Sequence, residues 1–347
     1  MRKASSIPAA LTVKRFQQIC FLTVGAVVFL ILVGGIVRMT GSGMGCPDWP
    51  KCFGQWIPPT DVSQLPADYQ VTYKDRGYAD TTFNAFKTWV EYVNRLIGVL
   101  IGLFSLGTAV YSLKLRKTHS SVTALSFFAL FLVIIQGGIG AYVVRTNLEG
   151  GVITIHMIIA LTILGLYVYT LLLTHRATRR NGFKPMAVSS TTALVGGLFL
   201  LMIIAQIVMG TQVREAIDHL AKSVEGGSRD SWIGKLDGVY PIHKVFYYAM
   251  TIALVIWLRR LSRLMKEEPL VKRLAIGMGV VFVTEVIAGI SMHNFAIPAF
   301  LQPVHLLGAT LLFGIAFSLW MVTLMGRSEN SKDIVASRVD MMAQAMK

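Results

Sequence analysis

The sequence is short of charge. Asp, Glu, Lys and Arg make up 15% of its 347 residues, against 54% hydrophobic residues and a mean hydropathy of +0.60. That is too apolar for the surface of an ordinary soluble domain. Acidic residues are scarcer than basic ones, 18 against 33, which gives a net charge of +15. A nucleic-acid footprint would gather this charge on one face. Here it sits in three short connections, "LKLRKTHS", "HRATRRNGFK" and "LRRLSRLMKEEPLVKR", so no nucleic-acid partner is expected. Cysteine is nearly absent, at three residues. Cys46 and Cys52 bracket "GCPDWPKC", which by itself reads as a metal site, a redox switch or a structural staple. Two thiols with no histidine nearby would make an incomplete zinc site.

What the sequence has is length of apolar run. Crossing a hydrocarbon core of ~30 Å takes ~20 helical residues. Runs of that order span Phe16 to Val37, Val90 to Leu113, Val122 to Val144, Gly151 to Leu173, Ser189 to Val213, Tyr240 to Leu258, Ala275 to Met292 and Ala299 to Met325. The expected fold class is an all-α integral membrane protein of eight transmembrane helices. The first run follows Arg2, Lys3, Lys14 and Arg15, but it exceeds the core of a signal peptide and ends without a clear A-x-A site. It reads as a retained helix. The basic connections alternate with nearly neutral ones: Arg38 to Trp89, "RTNLEG", Arg214 to Val239 and "HNFAIP". The positive-inside rule puts the basic set and both termini in the cytoplasm, and "GCPDWPKC" outside.

The chain also repeats itself. "EYVNRLIG" falls on "YPIHKVFY", "IIQGGIGAYVV" on "VTEVIAGISMH", and "VITIHMIIALTILG" on "LQPVHLLGATLLFG", all at an offset of 149. This register pairs Asn94 with His243, Arg95 with Lys244, Gln136 with Glu285, Gly140 with Gly289 and His156 with His305. The expected organisation is two tandem four-helix bundles related by a pseudo-two-fold axis along the membrane normal. Residues 1–175 form the first bundle, 176–187 a cytoplasmic linker, 188–326 the second bundle and 327–347 a cytoplasmic tail.

His119, His175 and His219 read as solvated residues of connections. His156, His243 and His305 each start an apolar helix near the outer face, where an ionisable side chain is costly and points to function. Imidazoles from facing helices of one bundle, as His243 and His305 would be, can supply both axial ligands of a six-coordinate heme iron. Heme fits this donor set better than zinc does. In the first bundle Asn94 stands where the second has His243, so the sites are unequal and one iron position there is open or weakly held. Glu91 lies three residues before Asn94 on the same helical face. It reads either as an i,i+4 partner of Arg95 or as a carboxylate at the rim of a heme pocket that accepts protons or stabilises a developing cation. Arg38, Arg95, Arg145, Arg214 and Lys244, at the outer mouths, read as interfacial anchors or as contacts for heme propionates. The small residues of "GGIGA" and "AGIS" allow a macrocycle or a neighbouring helix to approach closely.

"GGIVRMTGSGMGCPDWPKCFGQWIPP", "EYVNR" and the histidines opening helices four, six and eight resemble the heme A synthase family, over about Phe16 to Met325. The resemblance implies two similar four-helix bundles and the oxidation of the C8 methyl of heme O to a formyl group by successive hydroxylations, giving heme A for terminal oxidases. It implies heme b as cofactor on His243 and His305, heme O as substrate under His156 and Asn94, and Glu91 as the essential carboxylate. The family pattern has histidine where this chain has Asn94. Either His156 alone, with water or another side chain opposite, holds the substrate heme, or the first site has lost synthase activity. The retention of Glu91, His156 and the whole loop favours the first.

The resemblance also implies a Cys46–Cys52 disulfide above the substrate pocket, structural or redox-active, on the oxidising face of a bacterial inner membrane. Cys20 has no expected partner. Two other classes remain open: a b-type membrane cytochrome for electron transfer, and a heme transporter or chaperone without synthase activity. Expected partners are heme O, delivered by a heme O synthase, and a membrane electron donor or acceptor; a homo-oligomer is left open.

Overall fold

A computed structural model describes residues 7–79, 81–178, 188–222 and 228–345. Among them there is no β-strand, only an isolated bridge between Cys52 and Gln55. Eight long helices carry the chain: α1 Ile7–Met39, α2 Ala85–Ser112, α3 Ser120–Arg145, α4 Gly150–Thr178, α5 Ser190–Lys222, α6 Val239–Glu267, α7 Pro269–Asn294 and α8 Leu301–Ala345. Each contains a window long and apolar enough to cross a membrane. The chain is a multi-pass, all-α membrane protein.

Helix ends follow local chemistry. Asn84 caps α2, its side chain accepting from Lys87 N–H at 3.0 Å. Glu268 caps α7 and Pro269 occupies its first position, where the missing N–H costs nothing. The sequence placed all eight helices but shortened several. α5 runs on through Arg214, Asp218 and His219 to Lys222, so His219 is a helix-surface residue and not part of a loop. Polar residues end a hydropathy run without ending a helix. Of the expected linker, Arg176–Thr178 belong to α4 and 179–187 lie outside the described residues; the backbone of α8 stays helical past 327 through Ala345.

α1 packs on α2 and α4, and α3 on α2 and α4, closing a ring of four; α5, α6, α7 and α8 close a second ring. The rings meet where α1 and α4 touch α8 and α4 touches α5. Lipid tails are as apolar as leucine, so packing and interhelical hydrogen bonds hold such helices together. Trp257, Phe199, Leu319 and Tyr167 are fully buried. Thr23 and Thr108 hydroxyls meet at 2.9 Å between α1 and α2, and Thr154 and Thr211 at 2.7 Å between α4 and α5. Each such pair contributes about 0.6–2 kcal/mol.

The turns after α3 and α7 match residue for residue. Asn147 and Leu148 have φ of 53° and 68°, and Ala296 and Ile297 have φ of 54° and 53°. Leu148 N–H closes on Val143 O and Ile297 N–H on Met292 O, each at 2.9 Å. These residues are 149 apart, the offset that relates the histidines. Side chains other than asparagine and its like rarely take this left-handed backbone, and here it occurs twice at one spacing.

Candidate functional site

Asn94, His156, His243 and His305 all lie within the first three turns of α2, α4, α6 and α8. The long loop between α1 and α2 covers the same end of the molecule. Cys46 and Cys52 are joined by a disulfide, as the resemblance implied, and both are fully buried. Asp48 shapes the loop between them, accepting Phe53 N–H at 2.6 Å and Gly54 N–H at 2.8 Å. Phe53 then inserts among Tyr69, Tyr73, Tyr78 and Phe83 in edge-to-face contacts of 5.2–6.2 Å, a geometry favoured by the aromatic quadrupole.

This loop is clamped to one face of α2. Thr88 Oγ1 donates to Gly45 O at 2.9 Å, and Glu91 Oε2 accepts Cys46 N–H at 2.8 Å. Arg95 donates to Asp48 O at 2.7 Å, Lys51 O at 3.0 Å and Cys46 O at 3.1 Å, and pairs with Glu91 Oε1. Gly45 permits the contact: a Cβ there would sit 2.8 Å from Thr88 N and against Lys87 O. Tyr78 OH donates to Met44 O at 2.7 Å from above. Burial, with the charges of Glu91 and Asp48, pushes its phenol pKa up, so it stays a donor. The structure shows the first reading of Glu91, the pair with Arg95. Glu91 is a buried carboxylate fixed at the mouth of the first ring.

The three histidines share one setting. Each ring is half-buried with its Nδ1 sealed from solvent. A glycine on the neighbouring helix faces each Cε1: a Cβ on Gly140 would lie 3.5 Å from His156, on Gly210 3.5 Å from His243, and on Gly289 3.7 Å from His305. Four residues before each glycine is a polar side chain. Gln136 Nε2 donates to His156 O at 2.8 Å and Gln206 Nε2 to His243 O at 3.0 Å, while Glu285 Oε2 lies 3.0 Å from His305 Nδ1. Asn94 differs, with a buried Oδ1 that has no partner. Among the described residues no group of three or more His, Cys, Asp or Glu is placed to hold a bare metal ion. Paired imidazoles suit the iron of a macrocycle.

The candidate propionate contacts divide. Arg95 is committed to the loop. Arg38 and Arg214 meet at Asp218, at 2.6 and 2.7 Å, and Arg214 donates to Arg38 O at 3.0 Å and also bonds Gln302. They tie α1 to α5. The backbone carbonyl of Arg145 accepts from Arg76. Lys244 Nζ lies 3.0 Å from His293 Nε2, whose Nδ1 is 2.6 Å from Tyr240 OH. Sequence reasoning passed over His293. Its repeat counterpart is Val144, so the register gave no signal; a lone histidine in the last turn of α7 was the only hint. Cys20 is a buried free thiol whose Sγ lies 3.5 Å from Tyr167 O.

Fold and site together define a multi-pass helical membrane protein with histidines set in facing helices under a disulfide-closed loop. The chain belongs to the COX15-CtaA family of cytochrome oxidase assembly proteins, which it matches over residues 17–317. It is similar to the heme A synthase of Paracoccus denitrificans, 26% identical over 332 residues that cover 87% of this chain and 85% of that protein. It is similar also to the heme A synthases of Shewanella oneidensis, 27% identical over 52% of this chain and 53% of that protein, and of Alkalihalophilus pseudofirmus, 29% identical over 50% of each. The chain thus spans about half the length of those two relatives and most of the first.

Proposed function

We propose that this protein is a heme A synthase, an oxidoreductase that takes heme O as substrate and oxidises its C8 methyl to the formyl group of heme A. The observation that carries the reading is the end-to-end similarity to a heme A synthase, joined to three histidines with sealed Nδ1 atoms at one end of the bundle. In this reading the chain divides into the two bundles of its repeat. His243 and His305 hold heme b in the second, and His156 with Asn94 meets heme O in the first.

Bound heme would supply one-electron and oxygen chemistry that no side chain provides. The chain's own residues hold and orient. Glu91 is a stationary carboxylate at the first site; each of its oxygens keeps a lone pair beyond those used by Cys46 N–H and Arg95, and these can accept a proton or face a developing positive charge. The disulfide loop roofs the site and limits water. Asn94 offers a buried, unpartnered acceptor beside Glu91. In this reading both termini lie in the cytoplasm of a bacterial cell and the loop on the outer face of its inner membrane, the orientation that the positive-inside rule favours for the basic connections. A heme O synthase as donor and a membrane redox partner complete the reading.

Asn94 also favours a second reading, a b-type cytochrome that uses the second bundle alone. Extraction and mass analysis of heme from protein co-expressed with a heme O source separates the two. Heme A or hydroxylated heme O is expected; heme B alone, with heme O supplied, supports the cytochrome.

A further inference from the structure

Glu91 and Glu285 are the two buried carboxylates within spanning helices among the described residues. Glu91 serves the loop. Glu285 has no such duty: it lies nine residues from the end of α7, about 13 Å into the helix, where a charge needs a partner. Its one recorded partner is His305 Nδ1, 3.0 Å from Oε2. The two are close but not aligned for a hydrogen bond as they stand.

The chemistry of the side chain explains the difference from the other two histidines. Gln136 and Gln206 can donate, and both donate to a histidine carbonyl. A carboxylate accepts only, and Glu285 Oε2 lies 3.0 Å from a ring nitrogen that is able to donate. Its seat comes from a second residue. A Cβ on Gly308, one turn beyond His305 on α8, would lie 2.7 Å from the Glu285 carboxyl carbon and 3.2 Å from its Cγ. Gly308 therefore leaves the space the carboxylate fills. The repeat counterparts are Gln136 and Ile159, so the first half has neither the carboxylate nor the glycine gap.

We propose that Glu285, seated by Gly308, is a positioning residue for His305: it accepts the Nδ1 proton, fixes the ring with Nε2 toward its ligand and makes that nitrogen a stronger donor. The inference rests on the reading of His243 and His305 as heme b ligands. Carboxylate–histidine pairs of this kind orient metal ligands and raise their basicity, and a more basic ligand favours the oxidised iron. The second site is thereby set apart from the first by ligand strength as well as by ligand number.

The test uses the purified full-length protein with its heme, read by redox titration and by the electron paramagnetic resonance of the ferric low-spin signal. Glu285→Gln should raise the midpoint potential and increase the largest g value. Gly308→Ala keeps the charge but displaces the carboxylate, so it should move the g value the same way with a smaller shift in potential; it also stands in if Glu285→Gln fails to fold. A merely structural role would lower heme occupancy and leave the potential and g values of the remaining heme unchanged, and that result overturns the proposal. If the unsubstituted protein shows no low-spin heme at all, the two-histidine reading itself falls, and the proposal with it.

Discussion

The first and second halves of the molecule use the same helices and turns but different polar side chains at matched positions. Asn94 faces His243 in the register, Gln136 faces Glu285 and Ile159 faces Gly308, while His156 and His305 agree. The left-handed turns after α3 and α7 match at the same offset. On the function proposed above, these exchanges mean that the two sites do different work. A site with two imidazoles, one backed by a carboxylate, suits permanent heme and electron transfer. A site with one imidazole, a free amide oxygen and a fixed carboxylate suits a heme that must enter, react and leave. The disulfide loop, bound to α2 and without a comparable counterpart among the described residues of the second half, strengthens the contrast.

Removing the residues peculiar to each half should break different things. The largest effect is expected from His243→Ala or His305→Ala, which should abolish the low-spin heme b absorption while leaving a folded helical protein; survival of the band in both variants would refute the ligand pair. Glu91→Ala should lower heme A formation at least about 100-fold, the scale of a lost acid–base or electrostatic group, with the heme b spectrum unchanged. Glu91→Gln, which can still accept Cys46 N–H, should keep the loop in place and yet remain impaired. If it is fully active, Glu91 only anchors the loop.

Cys46→Ser should act on the first half alone. Cross-links of this kind contribute about 2–4 kcal/mol, but Glu91, Arg95, Thr88 and Tyr78 also hold the loop, so faster proteolysis within residues 53–84 is expected without loss of the helices. In the unsubstituted protein an impermeant thiol reagent should label Cys46 and Cys52 from the outer side only after reduction. The smallest effect is expected from Asp218→Asn, which loosens the tie between Arg38 and Arg214. Its carboxylate is 31% exposed, so about 1 kcal/mol or less is at stake, read as a fall of a few degrees in the thermal transition.

The spanning helices were legible because hydropathy runs are local, and the histidines were legible because an ionisable residue in such a run stands out. The Cys46–Cys52 pair was open on residues alone and settled only by resemblance. Contacts between distant residues were not legible. Arg38 and Asp218 are 180 residues apart and Gln302 lies 88 beyond Arg214; neither pair shares a periodicity, so the arginines read as interfacial anchors or propionate contacts and not as ties between helices. Glu285 was matched to Gln136 by register, but its reach to the ring depended on the gap at Gly308, which no spacing rule reports. Arg95 read as an anchor at the mouth, and its three loop carbonyls emerged only with the folded loop.

Asn94→His tests the central claim most directly, because one substitution gives the first half the ligand that the second half has. The measurement is the absorption and paramagnetic resonance spectrum of protein loaded with heme O. If Asn94 and His156 address the same iron, the first-site heme should shift toward a six-coordinate, low-spin form while the heme b signal stays as it was. Heme O that is demonstrably bound with every band unchanged would mean that Asn94 does not face the iron, and the 149-residue register would fail at the site where the two halves are claimed to differ.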